Sequence, residues 1–241
     1  ILIACLNFND YTGSELYVYE LARGLAKAGH DVHICSNIGG DISRRIKTFG
    51  VTLWNLQNPP GFTMGDGQKQ IQTANGIITT EKDKLYPVSD PQFDIIHLNH
   101  TPITNAFLNM YGNTFNVKNI ICTIHSEVIE LEHPVKDERI KKYICIRPEI
   151  KEFIETKFDI DPSRTTVIYN SFDETRFKNS PPPKKNRVLF VGTIDYLRQL
   201  TIEDLIETTK KEGKELWVVG KKREDYLDNL SESHVKYFEP T

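Results

Sequence analysis

Short apolar runs alternate with longer amphipathic segments along most of the chain. The first run, residues 1–6, is typical of a strand, and residues 14–28 then carry apolar side chains at helical spacing until Gly29 ends the helix. Further strands are predicted at 31–36, 51–53, 94–98, 119–125, 143–146 and 165–169, with helices at 42–49, 102–111 and 148–157. Because the strands are apolar on both faces, the pattern predicts an α/β fold with a parallel sheet between helices.

Three consecutive prolines, Pro181 to Pro183, interrupt this alternation. It restarts with strands at 187–192, 215–220 and 234–238 and helices at 201–212 and 222–230. We therefore predict two Rossmann-like domains, at 1–178 and from 187–241, joined by a proline-rich linker at 179–186. One continuous sheet with a proline-rich surface loop is the alternative. Because the chain starts at Ile1 and ends on a strand followed by a loop, we expect a fragment whose second domain is incomplete.

Residues 55–92 form a second, longer interruption. They contain the turn-forming sequences PPGF (59–62) and GDG (65–67), together with apolar residues such as Phe62, Met64 and Tyr86. A segment of this length inside a domain is usually functional or disordered. Its apolar content favours a packed loop that borders a site.

The composition narrows the class of protein. The 241 residues carry a net charge of -3, with 39% hydrophobic and 26% charged residues, which is enough apolar material for a core. The charge balance argues against a nucleic-acid partner, and no apolar run is long enough for a transmembrane segment. The four cysteines lie in strand-like runs without a C-x-x-C pair. We expect buried thiols in a reducing, cytoplasmic compartment, with disulfides as the less favoured alternative.

The first strand-to-helix turn, residues 7–15, contains the first candidate site. In open α/β sheets, ligands bind beyond the carboxyl ends of the strands. Gly13 would let the backbone approach a phosphate, and the N–H groups at the helix start, including that of Ser14, would bind it. Because the turn is not G-x-G-x-x-G, a dinucleotide dehydrogenase is disfavoured. The alternative is a glycine needed only for the turn, with Thr12 or Ser14 as the helix cap.

Three histidines end predicted strands, where their side chains would face the same crevice. They are His97, His100 and His125. An imidazole there could bind a sugar hydroxyl or accept a proton near neutral pH. A structural histidine is the alternative at each position. Since no H-x-x-x-H pair lies on a predicted helix, a zincin-like site is excluded.

Polar residues also follow the strands of the second domain. Thr193 and Asp195 follow the strand at 187–192, Arg198 precedes the next helix, and Lys221 follows Gly220 at the end of another strand. A cation at this level could neutralise a diphosphate held between the domains. A solvated loop arginine is the alternative.

The ordered set of motifs resembles the retaining glycosyltransferases of family 4, which have the GT-B fold of two Rossmann-like domains. The segments that carry the resemblance are TGSELYVYELARGLAKAGHDVHICS (12–36), FDIIHLNH (93–100), ICTIHSE (121–127), VIYNSFDETRF (167–177), RVLFVGTID (187–195) and ELWVVGKK (215–222). Together they span most of the chain in the family's order.

The resemblance implies roles for single residues. Gly13 matches the glycine whose amide approaches the donor diphosphate. His125 matches the histidine that lines the donor sugar or acceptor site, and we take it as the catalytic candidate. Asn170 and Asp173 match the turn that ends the first domain, with a structural role. We place His97 and His100 on the acceptor side.

In the second domain the sequence departs from the family's pattern. Thr193 stands where the family has an arginine. Arg198 stands near the position of the family's phosphate-binding lysine, with Gln199 replacing a glycine. We expect Thr193, Arg198 and Lys221, with Gly13 and Ser14, to bind the donor. The family's E-x7-E segment would lie beyond Thr241.

The resemblance implies a retaining hexosyltransferase. It would use a nucleotide-diphosphate sugar as donor and a saccharide, lipid-linked or other hydroxyl acceptor, without a metal ion or another cofactor. Two alternatives remain: a non-catalytic sugar- or nucleotide-binding module or subunit of a split enzyme, and another GT-B enzyme such as a nucleotide-sugar epimerase or a phosphorylase.

Overall fold

The computed structural model describes residues 1–56, 93–111, 119–172, 186–223 and 230–239, and short strands within 62–87. The chain forms two compact units, Ile1–Glu174 and Thr175–Thr241. The proposed linker at 179–186 lies outside the described residues except for Asn186.

The first unit is built on a seven-stranded parallel sheet. Its strands are β1 (Leu2–Phe8), β2 (His33–Ile38), β3 (Thr52–Asn55), β8 (Ile96–Asn99), β9 (Ile120–Ile124), β10 (Ile140–Cys145) and β11 (Thr165–Val167). Their order across the sheet is β11-β10-β9-β8-β1-β2-β3. Its helices are α1 (Gly13–Lys27), α2 (Gly40–Lys47), α3 (Thr101–Tyr111) and α4 (Pro148–Lys157). The order reverses between β1 and β8, so this is the point at which an open sheet forms a ligand crevice.

The alternating side chains of β1 explain why both faces of this sheet are covered. Ile3 and Cys5 pack with α1 and α2 in one buried cluster. Leu2 and Ala4 pack on the opposite face, in the cluster that contains side chains of α3 and α4. Strands buried on both faces are what the continuous apolar runs predict, and the α/β fold class is confirmed.

The ladder between β1 and β8 is short. It pairs Leu2 with Ile96, Ile3 with His97 and Ala4 with Leu98, and no pair follows within it. On the other side of β1, the register with β2 shifts between Ala4 and Asn7, because β1 contains one more residue there than β2. Such a bulge bends a strand and releases backbone groups from the ladder.

The second unit contains a three-stranded parallel sheet with α5 (Gln199–Lys211) packed on it. The strands are β12 (Arg187–Val191), β13 (Glu215–Val219) and β14 (Val235–Phe238), in that order across the sheet. Ile202 and Ile206 of α5 pack with Leu216 and Val218 of β13 in the core of this unit.

The helix predicted at 222–230 is largely untested, because residues 224–229 lie outside the described residues. At its predicted start, however, Lys222 forms a β-bridge with Ile194, and Arg223 donates its N–H to the Ile194 carbonyl. Extended backbone therefore continues beyond Gly220, where the sequence predicted helix.

Within the interruption at 55–92, four short strands are described by their backbones. They are β4 (Phe62–Met64), β5 (Gln72–Thr73), β6 (Gly76–Ile77) and β7 (Leu85–Pro87), with β4 antiparallel to β7 and β5 antiparallel to β6. The proposal that this segment borders a site concerns side chains outside the described residues.

Candidate functional site

The turn between β1 and α1 is shaped by one buried carboxylate. Glu15 Oε1 accepts the Asn9 N–H at 3.2 Å, and Glu15 Oε2 accepts both the N–H and the hydroxyl of Thr12, at 3.2 and 2.9 Å. Thr12 is the N-cap of α1, and it forms a capping box with Glu15. The carboxylate thus takes up N–H groups of the turn that could otherwise bind an anion.

The N–H groups of Gly13 and Ser14 follow directly, in the first turn of α1. Within the described part of the chain they donate to no group, and an ideal Cβ at Gly13 would have no atom within 4 Å. Free N–H groups at a helix start and the helix dipole favour an anion. The open space at Gly13 leaves the backbone accessible to one.

A second loop packs against this turn and requires a glycine. Gly40, between β2 and α2, has φ +63°, and a Cβ there would lie 1.8 Å from the Asn9 carbonyl oxygen. No side chain fits in that space, so Gly40 sets the approach of the two loops. The Gly39-Gly40 pair was the sequence signal for this contact, and the motif analysis did not use it.

Three residues from three elements form a buried hydrogen-bonded group beside α1. Thr123 Oγ1 of β9 lies 2.6 Å from His97 Nε2 of β8 and 3.1 Å from the Tyr17 hydroxyl of α1. Burial lowers the pKa of His97 to about 3, with a smaller contribution from nearby His125. Burial also raises the pKa of Tyr17. At neutral pH this group is therefore uncharged.

His125 lies just after β9 and is held by two neighbours. Its Nε2 is 3.1 Å from Asn99 Oδ1, and the ring of Tyr17 packs edge-on against its own at a centroid distance of 4.7 Å. Burial lowers the pKa of His125 to about 4; Glu132 opposes this shift and His100 adds to it. A neutral imidazole at pH 7 is a hydrogen-bonding group rather than a cation there.

His100 is tied into the protein by both ring nitrogens. Nδ1 accepts the Leu6 N–H at 3.2 Å, and Nε2 lies 3.3 Å from Glu132 Oε1. His100 has φ +70°, which is uncommon for a residue other than glycine. The His100 ring thus accepts a hydrogen bond from a backbone N–H of β1 that lies beyond the end of the β1–β8 ladder.

Glu132 places a carboxylate next to His100. It is buried, and its second oxygen, Oε2, has no hydrogen-bond partner within the residues that the structure describes. It lies in a 3₁₀ turn, Glu130–Glu132, that follows β9 after a short loop. A buried carboxylate oxygen without a partner is costly unless a water or ligand donor reaches it.

The second unit places its candidates around two closely packed glycines. Gly192 follows β12 and Gly220 follows β13, and a Cβ at Gly220 would lie 1.7 Å from the Gly192 carbonyl oxygen. Thr193 and Lys221 follow these glycines directly, and the Ile194 N–H donates to the Lys221 carbonyl oxygen at 2.9 Å. Thr193 and Lys221 are thus held at neighbouring positions at the ends of two adjacent strands.

Arg198 is paired within its own turn. Its guanidinium donates to Asp195 Oδ2 at 2.6 Å, and its N–H donates to Asp195 Oδ1 at 3.2 Å. Asp195 is buried, while the Arg198 side chain is 47% exposed. A solvated loop arginine was the alternative to a phosphate-binding cation at this position. The structure shows a half-exposed arginine that a buried carboxylate orients.

The structure brings three predicted site residues of the first unit together: the rings of His97 and His125 both pack against Tyr17, and that of His100 stacks on His125. Gly13 and Ser14 begin the helix that carries Tyr17. In the second unit Thr193 and Lys221 lie at neighbouring strand ends, and Arg198 lies in the turn that follows Asp195. Asn170 is exposed, and Asp173 lies outside the described residues.

Five neighbours that hold these groups were not predicted to belong to the site: Glu15, Tyr17, Asn99, Thr123 and Glu132. Four of them lie within the quoted motifs and Glu132 lies five residues after one. The partners of all but Glu15 come from other strands or helices. Only the short-range pair of Thr12 and Glu15 has a signal in sequence, the capping-box spacing.

Within the described ranges, no three or more His, Cys, Asp or Glu side chains are grouped as metal ligands. Among the helices in those ranges, none has the length and apolar character needed to cross a membrane.

The family described as Glycosyltransferase Family 4 matches residues 11–176. These residues contain the turn before α1, the three histidines and the strands that carry them. The match therefore covers the candidate site of the first unit. No curated protein gives a significant match to the sequence.

Solved structures give matches over the whole chain. A glycosyltransferase from Rickettsia africae is 13% identical with a TM-score of 0.59, and the match covers 100% of this chain and 68% of that one. Anabaena HepE in complex with UDP-glucose is 14% identical with a TM-score of 0.61, covering 99% and 68%. A mutant of S. aureus TarM in complex with fondaparinux, alpha-GlcNAc-glycerol and UDP is 11% identical with a TM-score of 0.56, covering 100% and 77%.

Proposed function

Because this chain belongs to glycosyltransferase family 4, we propose that it transfers a hexosyl group from a nucleotide-diphosphate sugar to a hydroxyl acceptor with retention of configuration. The observation that carries the proposal is the neutral, oriented His125, whose ring packs against Tyr17 of α1. At the start of the same helix, Gly13 and Ser14 present free N–H groups. This arrangement offers a polar group for a sugar hydroxyl and N–H donors for a phosphate.

The charge that develops on the leaving diphosphate needs stabilisation in the transition state. In the first unit we assign this role to the amides of Gly13 and Ser14. In the second unit we assign it to Arg198 and Lys221. Asp195 holds the Arg198 guanidinium in one orientation, which reduces the freedom lost on binding a phosphate. We assign Thr193 to the donor as well, as a hydroxyl contact where the family has an arginine.

No step of this proposal uses a metal ion or another cofactor. The test is direct: transfer in the presence of excess EDTA should equal transfer without it. A loss of activity that Mg²⁺ or Mn²⁺ restores would contradict this part of the proposal. For localisation we propose the reducing cytoplasm, which the four free, buried cysteines support.

The acceptor side is assigned to the group around His97 and His100. His97 is buried and His100 is engaged on both nitrogens, so we propose that they shape this side rather than bind the acceptor. The acceptor is a saccharide, a lipid-linked sugar or another alcohol. The complexes of TarM and HepE contain UDP or UDP-glucose, so a uridine donor is the first to test.

The experiment combines binding with turnover. A thermal-shift screen against nucleotide sugars should show stabilisation by one donor. Transfer from that donor, with the anomeric configuration of the product read by NMR, should then show retention. His125→Ala and Arg198→Ala should each lower the transfer rate while far-UV circular dichroism stays unchanged. Asn119→Leu, before the first residue of β9 and thus at the opposite end of the strands, is the control.

Other outcomes identify the alternatives. An inverted product would contradict retention. Donor binding without transfer to any hydroxyl acceptor would favour a non-catalytic binding module or a subunit of a split enzyme. Stabilisation by none of the nucleotide sugars at saturating concentrations would contradict the donor site itself.

A further inference from the structure

Asn99 connects β1 to His125. It is fully buried at the end of β8, its Nδ2 donates to the Ala4 carbonyl oxygen at 3.2 Å, and its Oδ1 lies 3.1 Å from His125 Nε2. Ala4 is the last residue of β1 that pairs with β8. The amide side chain therefore continues the connection between strands where the backbone ladder stops.

The bond to Ala4 determines which end of the amide faces His125. If the amide were turned over, its oxygen would face the Ala4 carbonyl oxygen, and two acceptors would oppose each other. The Oδ1 atom therefore faces His125, and it can only accept. The proton of neutral His125 must then lie on Nε2, and Nδ1 carries a lone pair.

The hydrogen bond to Asn99 also fixes which way round the His125 ring lies, because a ring turned by 180° would place a carbon atom instead of Nε2 beside Asn99 Oδ1. The Tyr17 ring packs edge-on against the His125 ring at 4.7 Å, and the His100 ring stacks at a centroid distance of 6.1 Å. Tyr17 is fixed by its hydrogen bond to Thr123. The Nδ1 atom of His125 has no hydrogen-bond partner in the part of the chain that the structure describes.

We propose that Asn99 is a positioning residue that keeps neutral His125 in the Nε2–H tautomer, so that Nδ1 accepts a hydrogen bond from a substrate hydroxyl. This inference rests on the proposed function for its substrate and deepens it in one respect. The group bound at His125 must be a hydrogen-bond donor, so the site selects a sugar with a free hydroxyl there. A fluorine or methoxy substituent at that position cannot donate and is discriminated against.

The titratable groups around His125 set its protonation. His100 after β8 opposes a positive charge on His125, and Glu132 of the 3₁₀ turn favours one. The neutral side chain of His97 on β8 lies nearby, and Tyr17 of α1 packs against the ring. Burial is the largest cause and keeps the ring neutral. A carboxylate in place of Asn99 would raise the pKa of His125 and still offer an oxygen that accepts from Nε2. Its second oxygen would face the Ala4 carbonyl oxygen, so this variant should also be less stable than the wild type.

The first test reads the tautomer without any donor sugar. Long-range ¹H–¹⁵N NMR of the histidine-labelled protein should show His125 neutral with its proton on Nε2 at pH 7. Asn99→Asp should keep this tautomer, whereas Asn99→Leu should shift His125 towards Nδ1–H or a mixture. Asn119→Leu is the matched control, because Asn119 also donates Nδ2 to a backbone oxygen, that of Asp94, at the other end of the sheet.

The second test uses transfer from UDP-glucose. Asn99→Leu should lower kcat/KM roughly tenfold, the effect of one hydrogen bond of about 1.4 kcal/mol. Asn99→Asp should retain activity at pH 8. When the pH is lowered, this variant should lose activity at a higher pH than the wild type does, because its His125 is protonated earlier and a protonated Nδ1 cannot accept a hydrogen bond from the substrate. A purely structural Asn99 would lower activity equally at all pH values in both variants.

The outcomes separate the two proposals. An Nδ1–H tautomer in the wild type, or an unchanged acid limb in Asn99→Asp, would overturn the role of Asn99 whatever the activity. A protein that transfers no sugar from any donor, but whose Nε2–H tautomer is lost in Asn99→Leu, would contradict the proposed function and support the positioning by Asn99. If Asn99→Leu does not fold, the wild type and Asn99→Asp still decide the matter.

Discussion

The stability of the first unit should fall steeply on mild acidification because of two buried histidines. Burial lowers the pKa of His97 to about 3 and that of His125 to about 4, from 6.5. In the unfolded chain both rings regain ordinary values and bind protons below pH 6.5. The unfolded state then holds more protons than the native state, so the free energy of unfolding decreases as the pH falls.

The change in the free energy of unfolding is set by proton binding to the two histidines in the unfolded chain. The native state contributes little, because both native pKa values lie below 5. Between pH 7.5 and pH 5.0, each such histidine lowers the free energy of unfolding by about 2 kcal/mol. The two together account for about 4 kcal/mol, a large share of the stability of an ordinary domain.

The assay is urea unfolding at both pH values, followed by the fluorescence of Trp54 in a Trp217→Phe background so that the first unit alone is observed. His97→Gln should lose about 2 kcal/mol less than the wild type between the two pH values, because it lacks one of the two titrations. His30→Gln removes an exposed histidine and is the control. If His97→Gln loses as much stability as the wild type, then His97 titrates normally in the native state and the reasoning from burial is wrong.

Substitutions at four further positions test the packing of the loops and helices and the candidate donor contacts. Gly220→Ala places a Cβ 1.7 Å from the Gly192 carbonyl oxygen and should lower the melting temperature of the second unit, whereas Gly24→Ala, with open space in α1, should stabilise the first unit by about 0.5–1 kcal/mol. Glu15→Gln should cost about 1–3 kcal/mol and weaken binding of UDP-glucose in calorimetry, because the turn loses its charged acceptor. Arg198→Lys should bind UDP more weakly than the wild type does and no better than Arg198→Ala if two guanidinium contacts are needed; binding equal to the wild type would contradict that role.

The positions of most helices and strands could be predicted from the sequence, because strands buried on both faces require continuous apolar runs. Helix α4, for instance, was predicted at 148–157 and extends over Pro148–Lys157, since Pro148 begins it and apolar residues recur at helical spacing. The short parallel ladders were harder to delimit: β11 was predicted at 165–169 and ends at Val167. Periodicity does not show where backbone pairing stops.

The contacts within the site could not be predicted in the same way. The partners of Ala4 and Leu6 lie 95 and 94 residues away in the chain, and only the sheet order brings them together. The pair of Asp195 and Arg198, by contrast, is local, and the spacing of a capping aspartate three residues before a basic residue was visible in the sequence. Which side chain binds another across strands depends on register, and register depends on tertiary packing.

The extra residue in β1 has a consequence for which changes of length this segment tolerates. After Ala4 the strand leaves the ladder, and the side chains of Asn99 and His100 bind the released backbone groups instead. Removing one residue between Ala4 and Asn7 would restore regular pairing with β2 and leave Asn7 opposite Asn37 and Phe8 opposite Ile38, so the later side chains would keep their faces. It would also shorten the stretch from which the Leu6 N–H reaches His100. A one-residue deletion here should therefore spare the sheet and disturb the site, whereas a deletion within the regular pairs would shift the register of the strand.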